Sequence, residues 1–285
     1  MKRPVPARRT NVEPTVHSNI VRVHLRENWI TRAELIPLLT NEAGAPLVQL
    51  AYWTPAFVHL DDPGKRAVLL WLARQRGKST LAAVVAILRV LLVPGSYVLM
   101  VAASEGQAAA IFLRKLRRVL ERLLDRLGIK RSALIITKRS VEVLELGSKI
   151  EVVATSEVTS PGRSVDLLIF DEARDIPDAV FTALAPSVLA TGGKILACST
   201  AGRPRGWFYE MVMHPLPETA VVQAEGATNP FADQGMLTFL ERQLARISPA
   251  AARRELGNEF TEDSESFLPE ALIEAAIDDA LVVLA

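Results

Sequence analysis

Two short stretches carry residue types that together could bind and cleave a phosphoanhydride. The first is Leu72-Ala73-Arg74-Gln75-Arg76-Gly77-Lys78-Ser79-Thr80, lying after an apolar run and before a segment of helical periodicity. Backbone N–H groups at the start of a helix carry partial positive charge and can wrap a phosphate, and a glycine lets the chain approach it closely. In such a loop Lys78 would reach the β- and γ-phosphates of ATP and Ser79 would ligate Mg2+, with Arg74, Gln75, Arg76, Gly77 and Thr80 beside the phosphates. Leu72 stands where the usual G-x-x-x-x-G-K-[ST] pattern has its leading glycine, and Gly-Lys-Ser alone also arises by chance.

The second stretch, Val165-Asp166-Leu167-Leu168-Ile169-Phe170-Asp171-Glu172, is an apolar strand pattern closed by two carboxylates. Asp171 would hold Mg2+ through its water shell, and Glu172 would orient or deprotonate the water that attacks the γ-phosphate. A strand end that merely caps the next helix is the plainer alternative. Lys194 to Cys198 ends in Ser199-Thr200-Ala201-Gly202. Hydroxyls there could sense the γ-phosphate, or serve only as turn residues. Negative charge spreads over the γ-phosphoryl oxygens in the transition state, so an arginine is a large catalytic asset. Arg74, Arg76 and Arg163 are the candidates. Arg163, in the turn Ser160-Pro161-Gly162-Arg163-Ser164, could project toward a neighbouring subunit, or simply be solvated.

These groups need a scaffold that brings the ends of several strands together. From Lys65 onward apolar strands alternate with amphipathic helices, which implies an α/β fold with a mainly parallel central sheet flanked by helices. The patterns place strands at 66–72, 97–103, 133–137, 142–154 (a hairpin turning at Gly147), 166–171 and 193–199. Helices fall at 78–92, 104–127 and 177–190. Later come a helix around 207–213, a strand near Val221, helices at 234–246 and 249–257, and a last helical stretch from Pro269. Residues 19–62 read as short helices with a Pro-punctuated loop. Residues 1–18 read as a flexible basic arm, 19–215 as the ATPase core, and 216–285 as a helical lid and linker.

Composition narrows the partners. The 285 residues are 49% hydrophobic and 23% charged with a net charge of +1, so nucleic-acid affinity would have to come from local clusters. Arg114, Lys115, Arg117, Arg118, Arg122 and Arg126 crowd one predicted helix, as a solvated face or a DNA-facing one. Cys198 is the single cysteine, which excludes an intramolecular disulfide. The longest apolar stretch, Leu81 to Val93, is too short to cross a bilayer.

Ala73 to Thr80, with Arg-Gln before Gly-Lys and no leading glycine, resembles the variant phosphate loop of the terminase large subunit family, the packaging motors of tailed double-stranded DNA viruses. Ala102-Ala103-Ser104-Glu105-Gly106-Gln107-Ala108 is similar to the family's segment after the second strand, and Leu168 to Ala173 to its acidic motif. Ser199-Thr200-Ala201-Gly202 with Gly206-Trp207-Phe208-Tyr209 resembles its coupling motif. Arg254-Glu255-Leu256-Gly257-Asn258-Glu259-Phe260, then Phe267-Leu268-Pro269, resembles its exit from the motor domain.

The resemblance implies a P-loop NTPase of the ASCE/RecA-like class that uses ATP and Mg2+. Lys78, Ser79, Asp171 and Glu172 take the roles above, Arg163 matches the trans-acting finger region, and Gln49, Tyr52 and Trp53 lie where the family places its adenine contacts. It further implies double-stranded DNA, a portal or procapsid and a small terminase subunit as partners, and a homo-oligomeric ring, pentameric when assembled. The setting implied is the host cytoplasm with transient docking on the procapsid, and no membrane. The family's nuclease half has no counterpart here, so ATPase without nuclease activity is expected. A helicase-like ATPase, or a subunit that binds ATP without turnover, are the competing readings.

Overall fold

The computed structural model describes residues 23–25, 28–41, 43–74, 76–158, 164–224 and 233–262. A short antiparallel hairpin, β1 (Val23–Leu25) and β2 (Asn28–Ile30), leads into α1 (Arg32–Leu35) and, after an irregular stretch, α2 (Trp53–Asp61). The core continues as β3 (Ala67–Trp71), α3 (Lys78–Leu92), β4 (Tyr97–Ala102), α4 (Glu105–Ala110) and α5 (Arg118–Arg126). Strands β5 (Leu134–Ile136), β6 (Ser140–Val143) and β7 (Ser148–Ala154) follow, then β8 (Leu167–Asp171), α6 (Asp178–Leu184) and β9 (Lys194–Ser199). The described chain closes with α7 (Trp207–Met213), β10 (Thr219–Gln223), α8 (Gln234–Ile247) and α9 (Pro249–Glu255).

Eight strands form one sheet in the order β10-β3-β9-β8-β4-β7-β6-β5, parallel from β10 to β7 and antiparallel at the β7-β6-β5 edge. The parallel strands read as near-continuous apolar runs because both faces are covered. One face packs against α3, which is apolar almost all round and correspondingly buried. The other carries Phe170, Phe181 and Trp207, with Phe181 and Trp207 stacked at 4.2 Å and the indole Nε1 donating to the Ile176 carbonyl at 2.9 Å. That stack fastens α7 beneath the acidic strand.

Several expectations shift in detail. The 19–62 region carries the β1–β2 hairpin as well as its helices. The 104–127 helix is one continuous run in which Ile111–Arg117 is π-helical. The 177–190 helix tightens into a 3-10 turn at Ala185–Val188, where Pro186 cannot donate to a helical bond. β10 pairs with β3, so the central sheet extends past the 215 boundary read from sequence to Gln223. The arm at 1–18 and the stretch from Pro269 lie outside the described residues.

Candidate functional site

Register brings the chemistry-bearing residues to one edge. Trp71 pairs with Ser199, and Asp171 with Cys198 and Ala102, so β3, β9, β8 and β4 all end together at their carboxyl ends. In open α/β sheets this is where ligands bind. One strand, β9, separates the loop-bearing β3 from the acidic β8.

The loop leaves β3 with Leu72 still strand-like. Its N–H donates to the Ser199 carbonyl at 3.0 Å and its side chain is buried, which explains how leucine replaces the leading glycine. Gly77, at φ 73°, makes the left-handed step that starts α3, a conformation glycine adopts without steric cost. The buried Tyr52 hydroxyl donates to the Arg76 carbonyl and pins the loop from below. Lys78 is buried and donates to the carbonyls of Leu72 at 3.0 Å and Ala73 at 2.9 Å. Burial lowers its pKa, while Glu172 and, more weakly, Asp171 act to keep it charged.

Asp171 is buried beside Ser79, whose hydroxyl acts to lower its pKa, and keeps Oδ1 with no partner. Burial first, and the neighbouring Glu172 second, raise its pKa to about 6. Glu172 holds φ 53°, ψ 54°, a left-handed conformation costing roughly 1–3 kcal/mol for a non-glycine residue and concentrated at functional sites. A carboxylate with a free lone pair beside a hydroxyl suits a hard divalent cation. No larger His/Cys/Asp/Glu cage occurs among the described residues, so such an ion would complete its shell with phosphate oxygens and water.

Ser199 and Thr200 are buried beside this pair. Ser199 Oγ accepts from the Arg174 N–H at 3.2 Å, whereas Thr200 Oγ1 has no partner. Arg76 is buried with Nε unpaired. Arg74 lies on the exposed rim in an ion pair with Glu255. Thr80 is half-buried and lines a cavity of about 310 Å3 with Thr40, Leu47, Val84, Lys115 and Val119.

Gln49 is exposed, and the adjacent Leu50 lies close to Gly77. Tyr52 and Trp53 are buried, so neither offers a ring face to a base. Gln75 and Arg163 fall outside the described residues. Sequence reading missed Tyr52 as the loop's clamp and Lys115, which lies in the π-helical turn and whose charge is felt at Asp171. It also missed Arg174 and Glu255; their place beside the acidic and exit motifs was the available signal. The basic helix has a partly structural use: Arg122 and Arg126 donate to the carbonyls of Asn41 at 2.9 Å and Leu38 at 2.8 Å.

Comparison with known proteins points one way. The family described as terminase large subunit, T4likevirus-type, N-terminal, matches residues 69–275. The terminase large subunit of Thermus virus P23-45 is 30% identical over 229 residues, covering 68% of this chain and 46% of that protein. The chain thus spans about half the length of the curated relatives it matches. Two solved structures share the fold. The large terminase ATPase domain of Thermus phage P74-26 superposes with TM-score 0.60 at 20% identity, covering 77% of this chain and 96% of that one. The HK97 bacteriophage large terminase gives 0.64 at 17% identity, over 80% and 54%.

Proposed function

Because the chain belongs to the terminase large subunit family, we propose that it is a Mg2+-dependent ATPase, the motor domain that drives double-stranded DNA into a viral procapsid. The observation that carries this reading is Asp171, buried with Oδ1 unpartnered against Ser79 and followed by the strained Glu172. A fold seldom leaves a buried carboxylate half-satisfied unless something binds there.

In this reading Lys78 exchanges its two loop carbonyls for phosphate oxygens, and the buried Arg76 offers its unpaired Nε to the same charge. Ser79 and Asp171 hold Mg2+, which when bound neutralises the charge on the phosphates. Glu172 orients and deprotonates the attacking water, its left-handed backbone setting the direction of the side chain. Arg74 approaches from the rim, and Arg163 completes the site of a neighbouring subunit in a ring, pentameric when assembled. Thr200, with its hydroxyl unpaired, senses the γ-phosphate, and Ser199 passes the change to Arg174. The cavity beside Thr80 has the mostly apolar lining a purine base requires, in place of contacts from Tyr52 and Trp53. Residues 1–18 serve as a basic arm. The core runs from 19 to about Gln223, and α8 with α9 forms the lid. The portal and small terminase subunit are the assembly partners.

Mg2+-dependent ATP turnover, measured across protein concentration, tests this. Turnover should rise with concentration as sites assemble, and Glu172→Gln should lower it about 10²–10⁴-fold. A mutant that hydrolyses ATP like the wild type removes Glu172 from the mechanism and the motor reading with it.

A further inference from the structure

The basic side chains on the helical run after β4 look alike in sequence, and the structure gives them different uses. Arg122 and Arg126 donate to the carbonyls of Asn41 and Leu38, and Arg117 pairs with Glu121 at 3.1 Å. Arg114 and Arg118 are exposed. Lys115 is half-buried and takes part in no hydrogen bond or ion pair among the described residues. A merely solvated lysine would project outward, as Arg114 does beside it. Lys115 instead adjoins the buried Leu116 and lines the cavity of about 310 Å3 together with Thr80 and Val84 of α3. It belongs to the π-helical turn Ile111–Arg117, which packs against α3, the helix that the phosphate loop starts. Single π turns within α-helices recur at functional sites.

The charge of Lys115 reaches the acidic strand. Burial and Glu172 raise the pKa of Asp171, and among the groups that oppose them Lys115 acts more strongly than Lys78, the lysine of the phosphate loop itself. At Cys198 on the adjacent β9, where burial dominates, both lysines are felt again. The Lys115 ammonium thus stands near the carboxyl ends of β8 and β9, yet it does not bond to Asp171, whose Oδ1 has no partner. A lysine that served only to balance the buried carboxylate would close that gap, because a direct charge-assisted pair is the stronger interaction.

We propose that Lys115 is a second phosphate-binding lysine, which holds the polyphosphate of the nucleotide from the β4 side of the site while Lys78 holds it from the loop. The inference rests on nucleotide lying between the phosphate loop and Asp171, as in the function proposed above. Lys115 is on the wall of the cavity given there to the base and in the field of the metal-holding carboxylate, so it stands beside the phosphate chain that joins the two. Asp171 and Glu172 repel those phosphates, and a cation on the acidic side offsets the repulsion where Lys78 alone does not. An ammonium with three donors on a flexible four-carbon stem suits the task, since it can cross the gap once a phosphate oxygen is there to accept.

The affinity of the full chain for a non-hydrolysable ATP analogue with Mg2+, measured by calorimetry beside a urea titration, tests this. Lys115→Met keeps the apolar stem and removes the charge. It should weaken binding of the analogue about ten- to hundredfold, the loss of one charge-assisted contact, with the urea midpoint unchanged. Lys115→Arg should recover most of that affinity, and Arg114→Met, one residue away on the exposed side, should leave it within about twofold of the wild type. Affinity within twofold of the wild type in Lys115→Met, or a Lys115→Arg variant that binds no tighter than the methionine one, overturns the proposal and leaves the site of Lys78 and Asp171 standing. A loss matched by a lower urea midpoint marks a packing residue and overturns it as well. No binding of the analogue by the wild type overturns the nucleotide site itself.

Discussion

The two ends of the central sheet both carry charge, and they treat their carboxylates in opposite ways. At the amino ends of the strands, Arg32 grips Asp61 through two nitrogens at 2.5 and 2.7 Å, and Asp166 Oδ2 accepts from the Tyr97 N–H at 2.7 Å. Lys194 donates there to the carbonyls of His59 and Asp62. Arg32 and Arg89 each keep an unpaired Nε at this end, but its carboxylates have fixed donors. At the carboxyl ends Asp171 Oδ1 and Thr200 Oγ1 are buried without partners, and Glu172 is strained. A fixed donor makes a carboxylate part of the structure. An unfilled lone pair costs stability, and selection tolerates that cost where a ligand comes and goes.

The sharpest way to break this contrast is Asp171→Asn. Metal-dependent turnover should fall about a thousandfold, beyond the loss of one ordinary hydrogen bond because the metal site is removed. The same variant should be more stable than the wild type without nucleotide. Asp171 has its folded pKa raised from 3.8 to about 6, so its contribution to stability is present below the lower value and is lost as pH rises through about 6. At pH 7.5 removing the buried charge should add about 1–2 kcal/mol, less than the roughly 3 kcal/mol of the full shift because the new amide also needs partners. A urea titration reads this; a destabilised variant means Asp171 is structural after all.

A smaller effect follows from the same group in the wild type. In the proposed site ionised Asp171 holds the metal, so apparent Mg2+ affinity in ATP turnover should drop about tenfold between pH 7 and pH 5. A flat profile over that window would show that the carboxyl ionises normally and that burial does not set its proton affinity. The smallest expected change lies at the other end of the sheet. Asp61→Ala should cost about 1 kcal/mol, since the pair with Arg32 is only partly buried, and leave turnover within about twofold. A large loss of turnover there would erase the distinction between the two ends.

Much of the fold is legible in the sequence. Apolar runs at 66–72, 166–171 and 193–199 and the 3.6-residue pattern of 78–92 pointed to a parallel sheet with covered faces, and those elements form within a residue or so. Less legible were the places where tertiary contacts override local pattern. The π-helical turn at Ile111–Arg117 has no sequence signature distinct from an ordinary amphipathic helix. The pairing of β10 with β3 depends on strands far apart in the chain, so 219–223 looked like part of the lid. Tyr52 and Trp53 looked like ligand contacts because aromatic residues before a phosphate loop are equally suited to stacking on a base and to packing beneath the loop, and burial decided for the latter.

The candidate site divides along the same line. Lys78, Ser79, Asp171 and Glu172 could be named from residue type and position, because phosphate and metal chemistry admits few side chains and demands them at strand ends. Which of those groups stay unpaired, which arginine meets Glu255, and that Asn258 ties Trp71 to Ala201 are matters of three-dimensional register. A sequence states the chemistry each residue can perform. Distances, burial and the partners already taken decide which of those capacities remain available, and these are set only when segments remote in the chain fold against one another.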